Sequence, residues 1–189
     1  MEFTNLEDVL TQYAKYVVQQ AKSNLSKTRP YPKNKGQLYN TLDYKILDNN
    51  EAILVEFLME DYWEFVDQGV KGKNPNGLPQ GAKYYGKQKA PNSPFKFGTG
   101  TGKKGGLRAA INKWTVKKGL KGVRDPKTGR FLPRKSMQYL IVRNIYLSGI
   151  KPTLFFSKPF IAGEKKYELQ LKEAFVTDLQ NTIIGFAEK

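Results

Sequence analysis

Any acid–base or nucleophilic chemistry in this chain must be built without histidine or cysteine, because neither occurs among its 189 residues. Their absence removes thiolate nucleophiles, disulfides, zinc sites of the Cys/His type and imidazole proton relays. Carboxylates, Lys, Ser/Thr and Tyr remain, with a hard cation such as Mg²⁺ as the metal suited to oxygen ligands. Asp43-x-Lys45 and Glu164-x-Lys166 have the acid-x-Lys form of carboxylate-metal nucleases, and the acids between Glu56 and Asp67 add oxygen ligands. Two residue types at that spacing recur by chance. Asp43 and Lys45 also fit the polar rhythm of a strand whose apolar face is Leu42, Tyr44 and Ile46, and Glu164 to Lys166 fit the opening of a helix.

The run Gly98-Thr99-Gly100-Thr101-Gly102-Lys103-Lys104 resembles a phosphate-cradling loop, since consecutive glycine amides can converge on an anion. A Walker A loop requires glycine where Phe97 stands and Ser or Thr where Lys104 stands, so the Mg²⁺ ligand is missing. Gly100-x-Gly102-x-x-Gly105 matches the dinucleotide pattern, but no strand precedes it. The run reads as a flexible linker, and no cofactor is expected.

Charge is the stronger signal. From Lys71 to Lys135 there are 18 Lys and Arg against the single acid Asp125, and from Gly69 to Lys135 there are 13 of the 17 glycines. The rest of the chain holds 14 basic and 16 acidic residues, so the net charge of +15 resides in this one block. Its candidate interface or DNA-contact residues are Lys71, Lys73, Lys83, Lys87, Lys89, Lys96, Lys103, Lys104, Arg108, Lys113, Lys117, Lys118, Lys121 and Arg124. Tyr84, Tyr85, Phe95, Phe97, Trp114 and Phe131 are interleaved with them, as on a surface that binds nucleic acid without reading sequence. The other reading is a basic arm that docks on an acidic protein surface. Glu56, Glu60, Asp61, Glu64 and Asp67 form such a patch, which a neighbouring identical subunit would present. Composition leaves the two readings level, with the apolar positions of 107–114 favouring a packed interface.

The elements that must position these residues follow from periodicity. Residues 4–25 predict an amphipathic helix on Leu6, Val9, Leu10, Tyr13, Val17 and Ala21, opened by a Thr4/Glu7 capping box and ended by Arg29-Pro30-Tyr31-Pro32. Leu38–Ile46 and Ala52–Leu58 predict a β-hairpin turning at Asp48-Asn49-Asn50. Asp61–Asp67 predicts a short helix or turn closed by Gly69. Residues 70–106 predict an extended loop or arm, Leu107–Trp114 a helix, and 125–129 a turn between extended pieces. A helix on Met137, Leu140, Ile141 and Ile145 stops at Gly149, and Thr153–Phe156 predicts a strand with a bend at Lys158-Pro159-Phe160. Tyr167, Leu171, Phe175, Leu179 and Ile183 mark the face of a C-terminal helix. The aromatic clusters at 62–65 and 155–160 predict core.

The expected fold is α+β: a small antiparallel sheet packed by N- and C-terminal helices, with a long basic Gly-rich insertion containing short helices. One domain spans 1–189, with its core at 1–70 and 136–189 and the insertion at 71–135. The apolar runs at 52–58 and 139–142 fall far short of the roughly 20 residues a membrane span needs. Met1–Asn5 has no basic leader, so retention where the chain is made is expected.

In order, the N-terminal helix, Gly36-Gln37-Leu38-Tyr39-Asn40-Thr41-Leu42, Tyr62-Trp63-Glu64-Phe65-Val66-Asp67-Gln68-Gly69-Val70 and Gly149-Ile150-Lys151-Pro152-Thr153-Leu154-Phe155-Phe156 with Lys158-Pro159-Phe160 resemble the tail-completion or head-tail joining proteins of tailed bacteriophages. The similarity covers about residues 4–70 and 137–185, and the segment 71–135 is far longer than the loop expected there. The resemblance implies a structural, non-catalytic virion protein, made in the host cytoplasm. It implies a homo-oligomeric ring in the neck with portal and tail proteins as partners, and packaged double-stranded DNA as a candidate contact.

Overall fold

The computed structural model describes residues 3–27, 36–48, 52–99, 106–120, 124–125 and 128–187. The expected helix stop at 29–32, the turn residues Asn49 and Asn50, most of the glycine run 98–104, and Pro126 and Lys127 lie outside them. The fold is α+β, and its contacts divide the chain into two compact units, 1–67 with 153–189 and 68–152. That boundary differs from the one drawn on charge, because 136–152 groups with the inserted segment.

In the first unit, α1 (Thr4–Lys27) and α6 (Ser157–Ala187) run antiparallel, since Asn5 meets Asp178 at one end and Tyr13 lies against Gly163 at the other. A Cβ on Gly163 would sit 2.8 Å from Tyr13 Cε2 and 3.1 Å from Val17 Cγ2, so only glycine permits this approach. The capping box is replaced. Thr4 is the first helical residue, and the buried Asp178 carboxylate accepts from the Asn5 and Leu6 amides at 3.3 and 2.8 Å and from Asn5 Nδ2 at 2.6 Å. A carboxylate there satisfies orphan first-turn donors and complements the helix dipole.

Residues 37–41 form a helical turn, α2 (Gln37–Thr41), where a strand was expected from Leu38. The strands proper are β1 (Asp43–Asp48) and β2 (Ile53–Leu58), antiparallel with Tyr44 opposite Phe57 and Ile46 opposite Val55. Their alternation turns those four side chains toward the helices and leaves Asp43, Lys45 and Glu56 exposed. Tyr13, Phe57, Phe156, Phe160, Tyr167 and Trp63 form a core of edge-to-face pairs with centroids 5.2–6.4 Å apart. Such pairs add about 0.5–1.5 kcal/mol each beyond area burial.

The short helix α3 (Trp63–Gln68) carries Asp67, which is completely buried. Its Oδ1 accepts from the Phe156 and Ser157 amides at 2.8 and 3.3 Å, and its Oδ2 accepts from the Ser157 hydroxyl. Its main-chain oxygen accepts from the Thr153 and Leu154 amides at 3.0 and 2.9 Å. These bonds replace the expected strand at 153–156 with an irregular turn in which Leu154 has φ +51°, and they cap α6. Pro159 lies in the first turn of α6 and makes no bend, because its missing amide would have had no helical partner there.

The second unit is more ordered than an arm. β3 (Val70–Lys71) pairs antiparallel with β4 (Gly149–Ile150), and Lys71 bridges to Lys96 in parallel. Gln88 bonds both the N–H and the C=O of Gly72, at 2.7 and 2.9 Å, and the Ser93 hydroxyl donates to the Gly69 carbonyl at 2.7 Å. Gly69 (φ +72°), just before this pairing, and Gly149 (φ +88°), within it, occupy a backbone region that favours glycine. A Cβ at Gly149 would fall 2.2 Å from the Val70 oxygen. α4 (Gly106–Lys117) packs on α5 (Arg134–Ser148), where Gln138 Nε2 donates to Asn112 Oδ1 at 2.9 Å and to the buried Thr115 hydroxyl at 2.7 Å.

Asp67→Ala is expected to lower unfolding stability by about 2–4 kcal/mol, the loss of a helix cap plus unpaired buried donors. Urea denaturation checks it, and a loss below about 1 kcal/mol removes Asp67 from the central role given to it here.

Candidate functional site

The sequence-predicted residues divide between the two units. Glu56, Asp61 and Glu64 are exposed on the first unit, and half-buried Glu60 accepts a hydrogen bond from Gln37 Nε2 at 3.0 Å. Asp67 does not belong to this surface. It is buried and its oxygens bond Phe156 and Ser157, so it has no capacity to dock a partner. Asp43 and Lys45 lie exposed on β1, Glu164 and Lys166 exposed on α6, and Asp43 Oδ1 accepts from the Tyr44 amide. Among the described residues, no group of three or more Asp or Glu side chains converges to hold a metal ion.

Within the basic unit, Lys73, Lys83, Lys87, Lys96, Arg108, Lys113, Lys117, Lys118 and Arg124 are exposed, whereas Lys71 and Lys89 are half-buried. Lys103, Lys104 and Lys121 lie outside the described residues. Several cations are placed by aromatic rings. Lys89 Nζ lies 4.4 Å and Lys83 Nζ 5.7 Å from the Tyr84 centroid, and Lys73 Nζ lies 5.7 Å from that of Tyr146. Burial holds the Lys89 ammonium below its ordinary pKa.

Residues outside the predicted set extend the basic surface. Arg134, Lys135, Arg143 and Lys151 belong to the same unit, and Arg143 Nη2 reaches the Gly77 carbonyl at 3.0 Å. Counted over 68–152, the unit has 20 Lys and Arg and one acid; the first unit has 12 basic and 16 acidic residues. Periodicity identified the helix at 137–145, but nothing local in the sequence assigns that helix to the inserted unit. A groove of about 540 Å³ lies between α4 and α5, with Arg108, Lys135 and the exposed Tyr139 on its walls.

The first unit has a groove of another kind, of about 510 Å³, walled by Tyr13, Val55, Phe57, Phe160 and Leu171. Glu164 and Glu168 stand on its rim, and Lys172 pairs with Glu168 at 2.7 Å. That hydrogen bond and charge hold the Glu168 carboxyl below its usual range. Burial, aided by the Glu164 charge, pushes the Tyr13 hydroxyl up to about 12.

Apolar side chains also remain open to solvent. Ile161, Leu169, Val176 and Ile183 are 50–66% exposed along α6, and Trp114, Val116, Phe131, Tyr139 and Leu140 are 45–64% exposed on the second unit. Phe175, expected on the buried face of α6, is 43% exposed and stacks on Phe3, while Ala174 and Asp178 take the buried positions.

Because the folded pKa of Tyr13 is raised, the fold favours its neutral form. The associated stability is full below pH 10 and is lost as pH rises through about 12. Relative to Tyr13→Phe, the wild-type chain is expected to lose on the order of 2 kcal/mol across that window. Urea midpoints measured against pH check this, and parallel curves for the two proteins refute it.

No protein-family model, no curated protein and no solved structure matches the chain.

Proposed function

We propose that the chain is a structural virion protein of a tailed bacteriophage, a subunit of a homo-oligomeric ring in the neck or tail-completion region between portal and tail. The observation that carries the reading is the division of the chain into an acidic unit and a unit with one acid among twenty bases, each with large apolar side chains left in solvent. Opposite charge on two different surfaces of one chain favours heterologous, head-to-tail contact, which closes into a ring when the rotation between neighbours closes. Apolar side chains exposed on both units are the kind that oligomer interfaces cover.

The resemblance adds weight. Its three longer stretches supply Leu38 and Leu42 to the core, Trp63 and Asp67 to α3, and Phe155 and Phe156 to the start of α6. The second and third of these stretches meet at Asp67, and Leu38, Leu42, Phe155 and Phe156 lie in one core of the first unit. No helix among the described residues is long and apolar enough to cross a membrane.

Native mass measurement of the purified chain is expected to give a defined homo-oligomer that dissociates as salt is raised, since exposed charge pairs are screened within about 10 Å at 0.1 M. A monomer at every concentration, and also with portal and tail proteins present, overturns the ring.

A second reading is favoured by the same count of twenty bases to one acid: binding of nucleic acid through its phosphates. Arg108, Lys135 and Tyr139 on one groove, and the lysines around Tyr84, suit backbone contact with stacking. If it holds, log affinity for random-sequence DNA falls steeply and linearly with log salt, and sequence changes leave it unmoved. A flat salt response removes it.

A further inference from the structure

On the ring reading above, we propose that the groove of the first unit receives Phe131 and its flanking arginines from a second copy of the chain. The groove has the size and lining for an aromatic group. Its volume of about 510 Å³ lies within the range of about 300–1,000 Å³ in which proteins seat ligand-sized groups. Tyr13, Phe57 and Phe160, packed edge to face on one another, line it together with Val55 and Leu171. The open rim carries Glu164 and Glu168, of which Glu168 already holds Lys172. Glu164 is thus the carboxylate most available to an incoming cation, and its field contributes to the raised Tyr13 pKa.

The basic unit carries one group that matches this chemistry on all counts. Phe131 is 64% exposed, more than Trp114 at 45% or Tyr139 at 54%. A hydrogen-bonded turn displays it: Arg124 and Phe131 form an antiparallel bridge, the Asp125 amide donates to the Arg130 carbonyl at 2.8 Å, and the Gly129 amide donates to the Asp125 carbonyl at 2.8 Å. A group held on such a turn loses less conformational freedom on docking than one on a loose arm. The Arg124 guanidinium lies 5.1 Å from the Phe131 ring centroid, and Arg130 is its exposed neighbour in sequence. Asp125, the one acid of the unit, accepts the Thr128 hydroxyl at 2.9 Å.

A phenyl ring entering the aromatic box brings guanidinium groups to the rim carboxylates. Each rim ion pair is worth only about 0–1 kcal/mol when exposed, so the ring supplies affinity and the charges set register. The donor and acceptor surfaces are different, so the contact is heterologous, as ring closure requires.

The absence of cysteine makes a direct test simple. Glu164→Cys and Arg130→Cys are prepared as separate proteins, mixed, and treated with a short bis-maleimide. A mixture of Lys45→Cys and Arg130→Cys serves as control, since Lys45, opposite Glu56, faces the other side of the sheet from the groove residues Val55 and Phe57. The proposal expects covalent dimer from the first pair well above the control, and at least a tenfold weaker assembly for Phe131→Ala by mass photometry. Phe131 is largely exposed, so this variant keeps its fold, which circular dichroism checks. If the wild type assembles but crosslinking equals the control and Phe131→Ala assembles normally, the proposal fails and the ring reading stands. A double variant that crosslinks only within one chain also overturns docking on a second copy. A wild type that never assembles overturns both.

Discussion

Asp67 stands where the chain leaves the first unit, and its carboxylate meets the chain again 89 residues later at Phe156. A buried carboxylate is costly unless its oxygens are satisfied, and here the start of α6 satisfies them. The same residue's carbonyl takes the Thr153 and Leu154 amides, so exit and re-entry of the chain are bonded to each other. The ordering cost of closing a long excursion grows only as the logarithm of its length. A unit as large as 68–152 can therefore sit between Asp67 and Thr153 without disturbing the pairing of α1 with α6. The positive φ of Leu154 belongs to this arrangement, because it lets two successive amides reach one carbonyl oxygen. The backbone strain there, on the order of 1–3 kcal/mol, is offset by the bonds it permits.

What could be read from sequence is what has a period. α1, β1, β2, α4 and α5 announce themselves by apolar spacing, and the register follows because Tyr44, Ile46, Val55 and Phe57 must share one face. Residues 70–99, the described part of the 70–106 segment, have no period and read as an extended loop or arm. Their order comes from single polar contacts, Gln88 on Gly72, Ser93 on Gly69 and the Lys71 backbone between Phe95 and Phe97, which leave no repeating trace. The C-terminal helix shows the opposite failure. Its apolar spacing pointed to Phe175 and Ile183, but antiparallel packing selects small Gly163 and Ala174, and Asp178 for the α1 amides. For the interaction surfaces, the sequence displays the charge and its basic block but not the limits of the unit that carries it. Arg143 and Lys151 join the basic unit only once α5 is seen to pack there, and Asp67 leaves the acidic patch only once it is seen to be buried.

The partition of charge constrains how copies can meet. Two copies approaching through the same face of the basic unit would bring together surfaces of a unit with twenty bases and one acid, and like charges in contact are strongly disfavoured. Basic-to-acidic contact avoids that, and it leaves an open chain of copies with one unmet surface of each kind, at its two ends, until the assembly closes. Pairing cannot neutralise the protein, however. The first unit has an excess of only four acids, so every copy in a closed assembly retains the chain's net charge of +15. A ring of such copies would concentrate that charge, and it would gather counterions or a polyanion to relieve the repulsion. On this argument the two functional readings are linked. If copies meet as proposed, their contact would use the acidic unit and the few bases that reach it, and the remaining bases would be those left to meet phosphate.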